Sequence, residues 1–316
     1  LSSDGTSLLL NGTAIGGGGA DLYDANPSSA TNPTANALNS VAIGDGMTTG
    51  SSAVGGIAIG QDGTVSGTNS VSLGKSGAYG TGSFAAAISS VSYQTYGADG
   101  DYSISVGYRS RASSSGAIAL GYEAKSLNNY STAISRSYAS GTDSFAAAIA
   151  NNTSSYGATN GNSVALGDRS KASGSRGIAI GGYGALASGT SSLAFGYQAT
   201  ANQNYASAFG YASKAYGAYS FAGNESHASG SKSVALGSST AQVKVSGAYT
   251  LPTADGSANQ VLQTDGSGAL SFATVSGGGG DPDLYRDNAS SATTPTASGT
   301  NAVAIGDTSV ASGANS

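Results

Sequence analysis

The chain has 316 residues, of which 50 are Gly, and carries 12 Lys and Arg against 17 Asp and Glu, a formal net charge of −5. Sparse and net acidic charge argues against a nucleic-acid partner. The absence of Cys excludes a disulfide framework and a thiolate metal site, and no apolar run reaches the ~18 residues that would span a membrane.

Residues 1–20 read as the end of a preceding β connector, and 21–38 as a linker rich in Asn, Pro, Ala and Thr. The chain begins at Leu1 rather than Met and is expected to be an internal piece, so missing targeting signals carry no weight. "GGGGADLY" (16–23) fits a calcium-binding G-G-x-G-x-D pattern. Its later counterpart, "GGGGDPDLY", carries an extra residue that displaces the Asp, and no metal is assigned.

From 39 to 240 one phrase recurs. "SVAIG" closes at Gly44, "GIAIG" at Gly60, "SVSLG" at Gly74 and "SFAAA" at Ala87. The series continues through Gly107, Gly121, Ser135, Ala148, Gly167, Gly181, Gly196, Gly210, Asn224 and Gly237, which makes 14 units. A step near 14 residues is too short for paired helices. Within a phrase the pattern alternates, with Val164 and Leu166 on one side and Ala165 on the other, so each phrase is a strand. The closing Gly breaks it, and a short half-turn such as "KASG" follows.

Two short strands and two turns per unit describe one coil of a flat β-solenoid. Fourteen coils at ~4.8 Å each would build a rod of roughly 65 Å. Low bulky-apolar content with much Ala, Ser, Gly and Thr suits small side chains inside such a rod rather than one large core. The Ala row is expected to face outward and to let neighbouring chains approach closely. A flat roll of small residues buries little apolar area, which oligomerisation would supply. The long steps after Ala87 and Ala148 are expected to protrude as loops from one edge.

Residues 241–280 form a β connector, with "QVLQTDGSGALSFATV" reading as a hairpin around Asp265-Gly266-Ser267-Gly268. Residues 281–300 are a linker, and 301–316 open the next roll with "AVAIG". Leu1–Tyr23 and Leu262–Tyr285 correspond, so the chain returns to its own start after 261 residues, as one period of a tandem array does.

Gly patterns of the G-x-G-x-x-G kind open no helix here and assign no nucleotide. His227, the only His, has no carboxylate or Ser constellation near it and reads as a solvated turn residue. More informative is the position after the closing Gly, which holds Tyr108, Tyr122, Tyr197 and Tyr211. Three residues on from such positions come Arg111, Lys125, Lys171 and Lys214. Equal places in successive coils stack, so aromatic and basic rows are expected along the rod. Two readings stay open: stacking and solubility, or a contact surface for glycans or matrix.

"NSVAIGDG" (39–46), "NSVALGDRSKASG" (162–174) and "KSVALGSST" (232–240) resemble the head repeats of YadA-type trimeric autotransporter adhesins. The resemblance covers roughly 39–240 and restarts at 301. It implies an all-β, left-handed parallel β-roll, three chains side by side, and an adhesive role on a bacterial surface. The connector is similar to segments of bacteriophage tail fibres and large bacterial surface proteins. The leading expectation is a non-enzymatic extracellular fibre, spacer and adhesin; the alternative is a phage tail fibre or virion spike. Its expected partners are itself, as a homotrimer of end-to-end modules, and glycans, matrix or a host-surface receptor, with no cofactor. A β-helix polysaccharide lyase would need carboxylates or basic residues clustered in a groove, which the sequence does not offer.

Overall fold

The computed structural model describes residues 31–86, 96–150, 153–237, 249–252, 254–274, 295–305 and 308–315, and the backbone alone of Ser2–Ser3, Leu8–Leu10, Thr13–Ala14 and Lys244–Val245. These residues fall in two units, Leu1–Ala241 and Gln242–Ser316. All regular structure among them is β.

The first unit is a parallel β-solenoid. Three-residue strands, from Val41–Ile43 to Val234–Leu236, form one 14-stranded sheet. Two-residue strands, from Thr34–Ala35 to His227–Ala228, form a second of the same size, and the two kinds alternate along the chain. Each of the 14 phrases supplies one three-residue strand. Each phrase lies on its own repeat: Val164 pairs with Ile178, Ala165 with Ala179 and Leu166 with Ile180. The first two-residue strand, Thr34–Ala35, falls ahead of Asn39 and pairs with Thr48–Thr49.

Local chemistry explains the turns. The residue two places before each three-residue strand is left-handed, with Asn at Asn39, Asn69 and Asn162 and Gly at Gly55 and Gly116, residue types that tolerate this region. The Ser that follows locks the turn. Ser70, Ser131, Ser163 and Ser220 each donate the Oγ hydrogen to the carbonyl three residues earlier, at 2.6 Å. The closing Gly meets a different demand. Gly167 has φ +100, and a Cβ there would lie 2.0 Å from the carbonyl oxygen of Gly181 in the next coil.

The interior corrects one expectation. The Ala row does not face outward: Ala58, Ala119, Ala165, Ala179 and Ala194 are fully buried. They meet Ala78, Ala112, Ala172 and Ala187, equally buried, from the two-residue strands. Along most of the roll a methyl or hydroxymethyl group from each side fills the space between the sheets, with Met47, Val65 and Ile149 the larger side chains enclosed. The bulky residues of each phrase face out because there is no room for them inside. Where Ser replaces Ala inside, a second Ser satisfies it: Ser72 with Ser76 at 2.9 Å, Ser105 with Ser110 at 2.8 Å and Ser126 with Ser131 at 2.6 Å between Oγ atoms.

Of the first long step, residues 87–95 lie outside the described residues. In the second, Ile149 is buried and its N–H donates to Ser137 Oγ at 3.2 Å. Residues 150 and 153–155 are exposed, and Tyr156 packs back against the core.

The second unit is built differently. Lys244–Val245 pairs antiparallel with Tyr249–Thr250, and Gln260–Thr264 with Leu270–Thr274. The latter turn is tied by Asp265, whose carboxylate accepts from the N–H of Ser267 at 2.8 Å, the N–H of Ala269 at 3.0 Å and the Ser267 hydroxyl at 2.7 Å. Thr296–Ala297 then pairs in parallel with Val310–Ala311, as Thr34–Ala35 does with Thr48–Thr49. The two parallel pairs have the same two-residue length and the same 14-residue step.

Candidate functional site

Three surfaces of the roll stand out, all set by the coil geometry. The first is the outer face of the three-residue sheet. Its strands present two columns of side chains, with Ile57, Ile118 and Ile178 among the first residues and Ile59, Leu120 and Ile180 among the third. They are partly exposed or exposed, on every strand of the sheet. No charged residue stands in either column. Thr132 and Ser207 are the polar exceptions, and stripes so largely apolar are usually covered by another surface.

The second surface is the turn after each three-residue strand. It carries the exposed residues Tyr108, Tyr122, Tyr197 and Tyr211. Tyr108 stacks on Tyr122 with centroids 5.5 Å apart, and Tyr197 on Tyr211 at 5.4 Å. Tyr183 extends the latter row, 5.4 Å from Tyr197. It escapes alignment on the closing Gly because Gly182 is inserted before it. The Arg109 guanidinium lies 5.1 Å from the Tyr108 centroid, and that of Arg169 5.2 Å from Tyr183. Glu123 joins Arg109 and Arg136, at 3.6 Å and 3.5 Å.

The four basic residues open two-residue strands, and they do not form one row. Arg111 and Lys125 are register partners. Lys171 stands between Gly157 and Leu186, and Lys214 between Thr200 and His227. Arg111 also pairs with Asp99, Nε to Oδ2 at 3.6 Å. Burial pushes the Asp99 carboxyl above its usual range, and the Arg111 charge pulls the other way.

The third surface, missed in the sequence, is the turn before each three-residue strand. Tyr102, Tyr130, Tyr205 and Tyr219 occupy its left-handed position and are exposed, with Tyr205 and Tyr219 stacked at 4.7 Å. The signal was the Tyr two residues before each strand, visible once the coils are aligned on that turn. Short Tyr stacks therefore stand on both edges of the apolar stripe, while Tyr102 and Tyr130 are separated by Gly116.

His227 opens a two-residue strand rather than lying in a turn; it is exposed, with its ring 6.3 Å from that of Tyr216. Among the described residues, no group of three or more His, Cys, Asp or Glu side chains is placed to hold a metal ion.

The profile of one family, described as YadA head domain repeat (2 copies), matches residues 51–76, 98–124, 112–134, 158–183, 187–213, 204–222, 223–240 and 297–316, together just over half of the chain. Comparison with curated proteins returns no match. Most of the matched segments lie in the roll, and one, 297–316, lies in the second unit.

Proposed function

The chain belongs to the YadA head repeat family, and on that premise we propose that it is a non-enzymatic, homotrimeric fibre module that spaces and adheres at a bacterial cell surface. One observation carries the reading. The roll keeps Ala and Ser inside and sets its Val, Ile, Leu and Phe on the outer face of the three-residue sheet. Covering a half-exposed Ile or Leu is worth about 1 kcal/mol, and the stripe offers such residues on strand after strand. Three copies closing their stripes around a common axis would bury all of them. Multi-angle light scattering tests this: three times the mass of one chain is expected, and a folded monomer at micromolar concentration overturns it.

The adhesive contact is assigned to the Tyr rows, with Arg111, Lys125, Lys171 and Lys214 on the neighbouring sheet. Stacked rings cover one another's faces. What Tyr108, Tyr122, Tyr197 and Tyr211 offer a ligand is ring edges and phenol hydroxyls, which suits hydrogen bonding to glycan hydroxyls or matrix backbone better than stacking. Replacing the four Tyr by Ser is expected to weaken surface binding; unchanged binding removes them from the site.

The return of the same strand pairing at Thr296–Ala297 and Val310–Ala311 supports end-to-end modules. The phage tail-fibre reading rests on the connector. A β-barrel anchor in the flanking sequence would favour the bacterial surface, and a virion-attachment domain the phage.

A further inference from the structure

Within the roll, Phe occurs only on the outer face of the three-residue sheet: Phe84, Phe145 and Phe221 in the first column, Phe195 and Phe209 in the third. Ala, Gly and Ser stand on that face at only four places, Ala86, Ala147, Gly223 and Ser207. Each shares its strand with a Phe two residues away. Every other strand but one carries two residues of middle size, such as Val164 with Leu166 or Thr132 with Ile134. The largest side chain is thus coupled to the smallest within a strand.

The remaining strand shows why. Leu193 shares a strand with Phe195, so that ring has no small residue beside it, and Phe195 is 49% exposed. Phe209, beside Ser207, is 37% exposed, and Phe84, Phe145 and Phe221, beside Ala or Gly, are half-buried. At Gly223 the arrangement is explicit: a Cβ there would lie 3.5 Å from Cε1 of Phe221. Leu236 Cδ2 of the next coil comes closer still, at 3.3 Å, so the ring and that Leu together fill the hollow that Gly leaves.

On a face open to water, the size of one residue places no demand on its neighbour. Matched volume matters where a rigid surface closes on the face. We propose that the two outer residues of a three-residue strand, Leu193 with Phe195 excepted, form one packing unit of compensating size, which keeps the stripe level for close contact with further copies of this chain. This rests on the homotrimer reading and adds the residues that tune the contact. A second copy fits the stripe for three reasons. The stripe is uncharged and so self-complementary. Only a body with the same rung spacing stays in step with it over 14 strands. And a face roughly 65 Å by 10 Å offers about 650 Å², close to the ~800 Å² per partner of stable complexes.

The experiment uses the 316-residue chain with three variants, Phe145→Ala, Ala147→Phe and the exchange Phe145→Ala/Ala147→Phe, read by analytical ultracentrifugation over a dilution series, with circular dichroism to verify the roll. Ala147→Phe overfills its strand and is expected to raise the half-dissociation concentration by about tenfold or more, and Phe145→Ala by a lesser factor. The exchange is expected to return it to within about threefold of the parent. Should Ala147→Phe fail to fold, Ala147→Leu applies a smaller excess, of the kind found in the strand of Leu193 and Phe195. A trimer that tolerates Ala147→Phe or Ala147→Leu unchanged overturns the volume pairing and leaves the homotrimer standing. A parent chain that is monomeric throughout overturns both.

Discussion

The roll and the connector are both β, yet they obtain register in opposite ways. In the roll, every strand pairs in parallel with one about a coil away, and repetition of the phrase aligns them, as at Ala165 and Ala179. In the connector, Gln260–Thr264 pairs with the strand that immediately follows, and the turn held by Asp265 aligns them. The roll is closed to bulk by neighbouring coils. The connector hairpin has no comparable interior: Val261, Leu262 and Phe272 are all exposed. Repetition therefore buries backbone and small side chains with little apolar content, and a local hairpin does not.

The contrast breaks most sharply at the closing Gly. Gly167→Val is expected to cost at least ~3 kcal/mol, from a disallowed φ and a collision with Gly181, read as a lowered melting temperature. Gly266→Ala in the connector meets open space at φ +80 and should cost about 1 kcal/mol. Next comes the inside–outside polarity. Ala165→Leu should destabilise the roll by roughly 1–3 kcal/mol through overpacking. Leu166→Ala should leave the melting of a dilute chain nearly unchanged and act on self-association instead, measured by sedimentation.

The smallest effect is in pH, where the two regions should respond with opposite sign. Asp99 in the roll has its carboxyl raised by burial, against the pull of Arg111. The folded state binds its proton more readily than the unfolded one. Its contribution to stability therefore grows as pH falls through the raised value and is complete below the unfolded one. Asp265 in the connector is held low, chiefly by the Ser267 hydroxyl. Its contribution is present above the unfolded carboxylate value and is lost as pH falls through the lowered one. Carboxyl chemical shifts followed through an acid titration should show the two moving apart, and Asp265→Asn should abolish the hairpin's share.

The coil was legible in the sequence because "SVALG" and "GIAIG" recur at one step, and parallel stacking is what aligns identical text. Polarity was not. Alternation separates Val164 and Leu166 from Ala165 without saying which side is enclosed. The clue lay in size: the central residue is always Ala or Ser, while the flanking ones range from Gly223 to Phe221. Constancy at small size marks the confined side. Tyr183 was missed through the Gly182 insertion, and Tyr102, Tyr130, Tyr205 and Tyr219 because alignment on the closing Gly draws the eye to the wrong turn. Equal phase also suggested a basic row, whereas Gly157, Leu186 and Thr200 interrupt it.

Strand pairing in the roll links each coil only to the one before and the one after. Such a structure can gain or lose a whole coil as ruled paper gains or loses a line. Duplication or deletion of about 14 residues would change the reach of the fibre by ~4.8 Å. Where a strand's large and small outer residues travel together, as Phe145 and Ala147 do, such an edit leaves the outer surface flush.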